Sequence, residues 1–383
     1  MKFSIDSRPL SLCISISLCD AIKESLSLAL SIIELSIYHK ENNIAENMKS
    51  TTAGCILMKY MIFLVLIVLP IGGDSLDAAL ADAEKSKKVI KVNLDGSGEF
   101  KTVTDALKSI PTDNKERVVI SIGPGEYVEK ITVDKPFITF YGSPQNMPTL
   151  SFGGTAHEYG TVDSASVMVL ADYFVAANII MKNSAPIPTG QFRFNGGQAV
   201  AMRVSGDKAA FYNCRFIGFQ DTLLAYKGRH YFKDCYVEGT VDFVFGGGKT
   251  LFMNTEIRSI SNELVMIVAQ ARKNASEDNG FSFVHCKVTG TGDIYLGRPW
   301  FPYGRIIFAF TDMCAQVNPL GWHEGAFPTT NVYFVEYKNT GPGSNTDKRP
   351  AWVKTKLSDA EVQPFLSTGF INGDDWLTPP PSL

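Results

Sequence analysis

Residues 211–218, Phe-Tyr-Asn-Cys-Arg-Phe-Ile-Gly, are followed by 231–239, Tyr-Phe-Lys-Asp-Cys-Tyr-Val-Glu-Gly, and then by 251–257, Leu-Phe-Met-Asn-Thr-Glu-Ile. The Asn or Asp of each copy stands at 213, 234 and 254, so the pattern recurs after 21 and then 20 residues. A fourth copy, Phe281-Ser-Phe-Val-His-Cys-Lys-Val, comes after an insertion. Turn-formers separate the copies: Gly218, Lys227-Gly228, Gly239 and Gly246-Gly-Gly. A propeller blade takes roughly 40–45 residues, too many for this period. A parallel β-helix takes roughly 20 per coil and stacks like residues on like. The repeat therefore predicts an all-β chain wound as a parallel β-helix. Such stacking sets Cys214 beside Cys235, about one 4.8 Å strand spacing away, within disulfide reach. A ladder of inward-facing free thiols fits the same spacing, and the sequence leaves both readings open.

The ends of such a coil expose unpaired strands and need covers. Asp95-Gly-Ser-Gly-Glu-Phe leads into a short amphipathic helix over 102–110, stopped by Pro111. Ser358-Asp-Ala-Glu361 reads as a capping box for a second short helix reaching about Leu366. Pro379-Pro-Pro begins a solvated tail.

Upstream of this region lies the longest apolar run, Met61 to Leu69, with Lys59 before it and Pro70-Ile-Gly-Gly after it. It is too short for a membrane span, which needs about 20 apolar residues, and it has the form of a signal peptide at about 58–73. Its distance from residue 1 suggests that residues 1–47 are an over-extended reading of the gene, with Met48, Met58 or Met61 as the true start. The expected organisation is a non-mature leader over 1–74 and one folded domain over 75–383, secreted and free of the membrane once the signal is removed. Four cysteines remain in that domain (Cys214, Cys235, Cys286, Cys314), an even number that suits an oxidising compartment. Asn274-Ala-Ser is a glycosylation sequon. Of 383 residues, 36 are Lys or Arg and 39 Asp or Glu, a net charge of −3, which argues against a nucleic-acid partner.

Chemistry is expected where the repeat carries carboxylates. Gly218-Phe-Gln-Asp-Thr-Leu223 and Gly239-Thr-Val-Asp-Phe-Val-Phe-Gly246 place Asp221 and Asp242 21 residues apart, one full period. Both should project from the same face of adjacent coils. Two close carboxylates repel, so one holds its proton and the pair divides into an acid and a base or nucleophile. Gln198 lies 22 residues before Gln220, again about one period. Neutral carboxamides can stabilise a developing oxyanion; a structural amide ladder between coils is the alternative use.

These segments, with Gly125-Glu-Tyr-Val-Glu129, Gln198-Ala-Val-Ala-Met-Arg203, Leu296-Gly-Arg-Pro-Trp300 and Glu336-Tyr-Lys-Asn-Thr-Gly-Pro-Gly343, occur in the order found in plant pectin methylesterases. Over residues 90–378 the chain resembles that family, most of all its pollen-type members, some of which are allergens. The resemblance implies a right-handed, single-stranded parallel β-helix. It implies hydrolysis of the methyl esters of galacturonate units in pectin, releasing methanol, in the plant cell wall. By motif, Asp242 would be the nucleophile and Asp221 the acid and then base. Gln198 and Gln220 would hold the oxyanion, and Arg298 would pair with Asp242. Trp300, Phe245 and Phe219 would meet the sugar chain, with packing of the groove wall as the plainer use of the aromatics. No cofactor or metal is implied. Pectin is the implied partner, with proteinaceous inhibitors as a second, and a monomer is the family habit. Leu224 stands where many relatives have tyrosine, Ala271 where glycine is common, and Gly321-Trp-His-Glu-Gly325 lacks a second tryptophan. The stretch from Asp74 to Ile90 is too short for an inhibitor-like pro-domain.

Rival readings fit less well. A polygalacturonase also uses paired carboxylates, but Asn345-Thr-Asp347 and Asp374-Asp375 fall in a loop and the tail, with no Gly-His-Gly after them. No Gly-x-Ser-x-Gly elbow serves a serine esterase, and none of the five histidines lies in a motif segment. No acidic cluster suggests a calcium-dependent lyase. A pectin-binding protein on a retired scaffold would be expected to lack Asp221, Asp242 or Arg298.

Overall fold

In the computed structural model, residues 76–188, 196–325 and 327–379 are described. Residues 1–75, which include the whole of the expected leader with its signal peptide, and the tail after Pro379 lie outside them. Strand pairing within these residues is parallel from coil to coil, and the chain winds as a right-handed parallel β-helix. One face is a sheet of ten strands, from Lys87–Val92 to Tyr333–Tyr337. The other two faces merge into one curled sheet, because the strands Glu256–Gln270 and Lys287–Pro299 run through the corner between them. The insertion before the fourth repeat lengthens the first of these strands, Glu256–Gln270, and the second, Lys287–Pro299, follows that repeat and pairs with the first.

The repeat deduced from sequence is the coil. Phe211 pairs with Phe232, Phe232 with Phe252, Phe252 with Phe283, and Phe283 with Phe308. Their rings stack face to face down the interior at 4.5–4.8 Å, close to the spacing of neighbouring strands. Each is wholly buried. After each of these strands the chain turns at a residue in the left-handed region: Asn178, Asn213, Asp234, Asn254, His285, Phe310 and Lys338, with φ between 48° and 61°. Asn and Asp tolerate this conformation better than other residues with a Cβ. The repeated Asn/Asp is therefore a corner residue. His285 takes the same corner and stacks on Phe310.

Cysteines 214, 235, 286 and 314 are free thiols. Cys214 and Cys235 lie side by side as expected, but each thiol donates to the carbonyl two residues back, Tyr212 O and Lys233 O. Of the two readings left open, the thiol ladder is the one present. Burial pushes Cys214 and Cys286 up to about 12, so both are packing groups rather than nucleophiles.

Both caps form. The helix Val103–Lys108 buries Val103, Ala106 and Leu107 against the first coils. Thr102 caps it by accepting from Asp105 N, and Glu129 accepts from Val103 N at 2.8 Å and Thr104 N at 2.9 Å. Glu129, from the Gly125–Glu129 motif, thus closes the end of the helix. At the other terminus the helix Asp359–Val362 continues as a 3-10 turn, Gln363–Phe365. Glu361 accepts from both N–H and hydroxyl of Ser358. A further helix, Ala78–Ala83, was not anticipated; Leu80 and Ala83 lie with Phe370, Ile371 and Trp376 over the outer side of the ten-stranded sheet.

Candidate active site

Asp221 and Asp242 occupy equivalent corners of successive coils, since Leu223 pairs with Val244 and Leu224 with Phe245. Both take left-handed conformations, φ 62° and 49°, so the carboxylates use the same corner chemistry as the Asn ladder. The turns are held closely. Asp221 N donates to Val241 O, and Thr240 N to Phe219 O. Thr222, wholly buried, donates its hydroxyl to Glu238 O at 2.9 Å. A Cβ on Gly239 would come within 2.2 Å of Phe243 Cβ, which explains the glycine that opens the second motif.

Arg298 lies in the strand Lys287–Pro299 and reaches Asp242 with two donors. Nε approaches Oδ1 at 2.9 Å, and Nη2 donates to Oδ2. A bidentate pair of this kind fixes the orientation of the carboxylate as well as its charge. Among the described residues Asp221 has no such partner. Burial first, and the charge of Asp242 second, raise its carboxyl well above the ordinary range, with Arg298 opposing. One carboxylate is clamped by a guanidinium; the other favours its protonated form.

The pair opens into a cleft of about 810 Å³. Gln198 and Gln220 line it with the aspartates and Arg298. Gln198 Oε1 accepts from Gly196 N at 2.9 Å, which turns its amide nitrogen to the other side. Gln220 makes no side-chain hydrogen bond among the described residues, and no bond joins the two carboxamides there. The inter-coil amide ladder is therefore not formed, and amide donors remain available in the cleft.

The three aromatics are placed differently. Trp300 is 36% exposed on the cleft wall. Phe245 also borders the cleft but is only 2% exposed, lying edge-on beneath Trp300 with ring centres 5.9 Å apart. Phe219 is not among the residues lining the cleft. Leu224 and Ala271, two of the noted departures, both line it, and Leu224 packs with Val200 and Phe245. The sequence analysis missed Thr161, Tyr226, Lys227, Lys273 and Asn279, all cleft residues. Four of these are in or beside turns, and the repeat gives no signal for them. Among the described residues no cluster of His, Cys, Asp or Glu could hold a metal ion.

The pectinesterase family profile matches residues 89–374. The chain belongs to the pectinesterase family. Pectinesterase 1 of Olea europaea is 51% identical over 316 residues, 80% of this chain and 84% of its own. Among solved structures, pectin methylesterase from carrot superposes with a TM-score of 0.71 at 32% identity, covering 77% of this chain and 97% of that one. A pectin methylesterase in complex with a hexasaccharide gives 0.66 at 26% identity, covering 76% and 98%. Family membership makes the protein a carboxylic ester hydrolase acting on pectin methyl esters. The cleft described above contains both carboxylates, both carboxamides and the arginine singled out in the sequence.

Proposed function

We propose that Asp242 is the nucleophile and Asp221 the proton donor in de-esterification of methylated galacturonate units. The observation that carries the assignment is the asymmetry of the pair. Arg298 holds Asp242 by two hydrogen bonds, while burial keeps Asp221 in favour of its proton. An Asp242 oxygen attacks the ester carbonyl carbon, and the electron pair moves onto the carbonyl oxygen. Amide N–H groups of Gln198 and Gln220 stabilise that oxyanion. As the tetrahedral centre collapses, the methoxy group leaves with the Asp221 proton as methanol. Asp221, now ionised, takes a proton from water, whose oxygen attacks the acyl-enzyme. That step restores ionised Asp242 and protonated Asp221 and releases the galacturonic acid unit, which gives its proton to solvent. No cofactor enters the scheme.

Trp300 is the aromatic face on offer to the sugar chain, and a related pectin methylesterase has been solved with a hexasaccharide. We further propose secretion to the plant cell wall after removal of residues 1–74. The apolar run behind Lys59 supports this, and among the described residues no helix is long and apolar enough to cross a membrane. Action as a monomer, sensitivity to proteinaceous inhibitors and a pollen-type role rest on the family resemblance.

The test is methanol release from highly methylated pectin by residues 74–383. Asp221→Asn should lower kcat by about 10²–10⁴, the usual worth of a positioned acid or base. Asp242→Asn should abolish turnover. Asparagine keeps the left-handed corner tolerable, so both variants should fold. Methanol release that survives Asp242→Asn would exclude this nucleophile.

A further inference from the structure

One motif of the sequence stands apart from the reaction. Asn274-Ala-Ser is the only Asn-x-Ser/Thr triplet in the 383 residues. Asparagines elsewhere in the coil are committed to holding it. Asn178, Asn213 and Asn254 sit at corners and bond from coil to coil. Asn183 is buried and its amide nitrogen faces three backbone carbonyls. Asn274 is placed differently. It lies in the loop between the strands Glu256–Gln270 and Gly280–Val284, where Lys273, Asn274, Ala275 and Ser276 are all exposed. The folded chain therefore leaves room for a large solvated substituent at this position. Neither Asn274 nor Ser276 is among the residues lining the cleft.

The triplet is also folded on itself. Ser276 donates to Asn274 Oδ1 from its N–H at 3.1 Å and from its hydroxyl at 2.6 Å. The hydroxyl that defines the motif is thus aligned on the amide it accompanies. On the other side of that amide, Nδ2 donates to Glu277 Oε1 at 3.0 Å. A carboxamide nitrogen carries two protons, so one is engaged and the other can be replaced without breaking this bond. The loop does not depend on Asn274 for its shape. Glu277 accepts in addition from Lys273 N and Asn279 Nδ2, each at 3.1 Å. Arg272, buried beneath the loop, donates to Glu277 O at 2.8 Å, Ala275 O at 2.7 Å and Tyr303 O at 3.3 Å.

We propose that Asn274 carries an N-linked oligosaccharide, transferred from a polyprenyl diphosphate donor as the chain enters the secretory pathway. Nδ2 attacks the anomeric carbon of the first sugar. The new bond joins that carbon to Nδ2, the bond from the carbon to the diphosphate oxygen breaks, and the lipid diphosphate leaves. The displaced Nδ2 proton passes to solvent. The inference rests on the secretion reading, because the donor is met only in that compartment. Lys273 and Glu277, on either side of the triplet, border the cleft. The oligosaccharide is therefore rooted at the lip of the cleft and outside its lining.

The test is translation of the full chain with microsomal membranes, alongside recovery of the protein from the medium of plant cells. Treatment with a peptide-N-glycosidase that accepts plant glycans should increase its mobility on a gel. Done in heavy-oxygen water, the same treatment should leave a labelled aspartate at position 274, read by peptide mass spectrometry. Asn274→Gln and Ser276→Ala should each abolish the mobility shift, while Ser276→Thr, which keeps the hydroxyl, should retain it. An imported chain with Asn274 unmodified, or a shift that survives Asn274→Gln, would overturn the site. A chain left outside the membranes would instead remove the secretion reading; residues 74–383 behind a signal peptide of known function then test Asn274 with the same variants. Methanol release should keep its kcat after enzymatic removal of the oligosaccharide. A fall in kcat would overturn its placement at the lip.

Discussion

At the scale of single residues, the site depends on one carboxyl group that the fold keeps away from water. Asp221 titrates at about 3.9 in an unfolded chain and well above that when folded, through burial and then the neighbouring Asp242. Below the lower value both states carry the proton and the fold suffers no penalty. As pH rises past it, the unfolded chain gives up its proton while the folded one retains it, so stability declines until the folded carboxyl ionises too. Asp221→Asn has no proton to lose. It should therefore melt higher than the wild type at about pH 8, with the gap closing towards about pH 4. Thermal melts across that range check it; a gap of constant size would show that Asp221 is not the buried acid described here. The same group predicts that kcat/KM falls on the alkaline side as Asp221 loses its proton. Stability gained and turnover lost in one variant is the exchange expected at a catalytic group.

At the scale of the element, the unit is a stack rather than a strand. Most strands are only three to six residues long, among them Leu223–Ala225 and Val241–Gly246, and none would persist alone. What holds them is like-on-like stacking, and the Phe211, Phe232, Phe252, Phe283, Phe308 column is its core. Phe252 has stacked neighbours on both sides. Phe252→Ala should cost about 3–5 kcal/mol in urea unfolding, from lost transfer and an unfilled cavity. A loss below about 1 kcal/mol would mean that the column can collapse around the gap. This column also explains what the sequence could and could not reveal. The coil was legible because its period is written in the chain, and Asp221 and Asp242 were legible because they share that period. Lys227, Lys273 and Asn279 were not, because they lie where turn lengths vary between coils and no register predicts what faces the cleft. Phe219 and Phe245 belong to the same motifs as the aspartates, yet one lies off the cleft and the other beneath Trp300. Motif membership located the neighbourhood, but Phe219 stands at a bend between strands and Phe245 in the strand Val241–Gly246, so local backbone geometry decided which of them borders the cleft.

At the scale of the whole molecule, the ten-stranded sheet has an apolar outer side that no coil covers, including Ala210, Tyr231 and Leu251. The two ends of the described chain meet over it. Leu80 and Ala83 pack with Phe370, Ile371 and Trp376, and Asp77 N donates to Asp375 O at 2.7 Å. Two ion pairs anchor the leading helix. Asp77 accepts from Lys208, which holds its carboxyl down at about 2. Glu84 receives Arg117 Nε at 2.7 Å, and Arg117 is only 2% exposed. Removing Glu84 leaves the buried Arg117 guanidinium with Tyr173 O as its remaining acceptor and no carboxylate among the described residues, a loss of up to about 3–5 kcal/mol when one partner of a buried pair is deleted. A chain starting at Lys87 should therefore unfold at clearly lower urea concentration than one starting at Asp74, while a start at Asp74 or Ser75 should match longer versions. If the two truncations unfold alike, the helix Ala78–Ala83 is an ornament and the domain begins at its first strand. If they differ as expected, Leu76 to Ala83 are part of the wall that closes the β-helix, and the cover over the ten-stranded sheet needs both ends of the described chain.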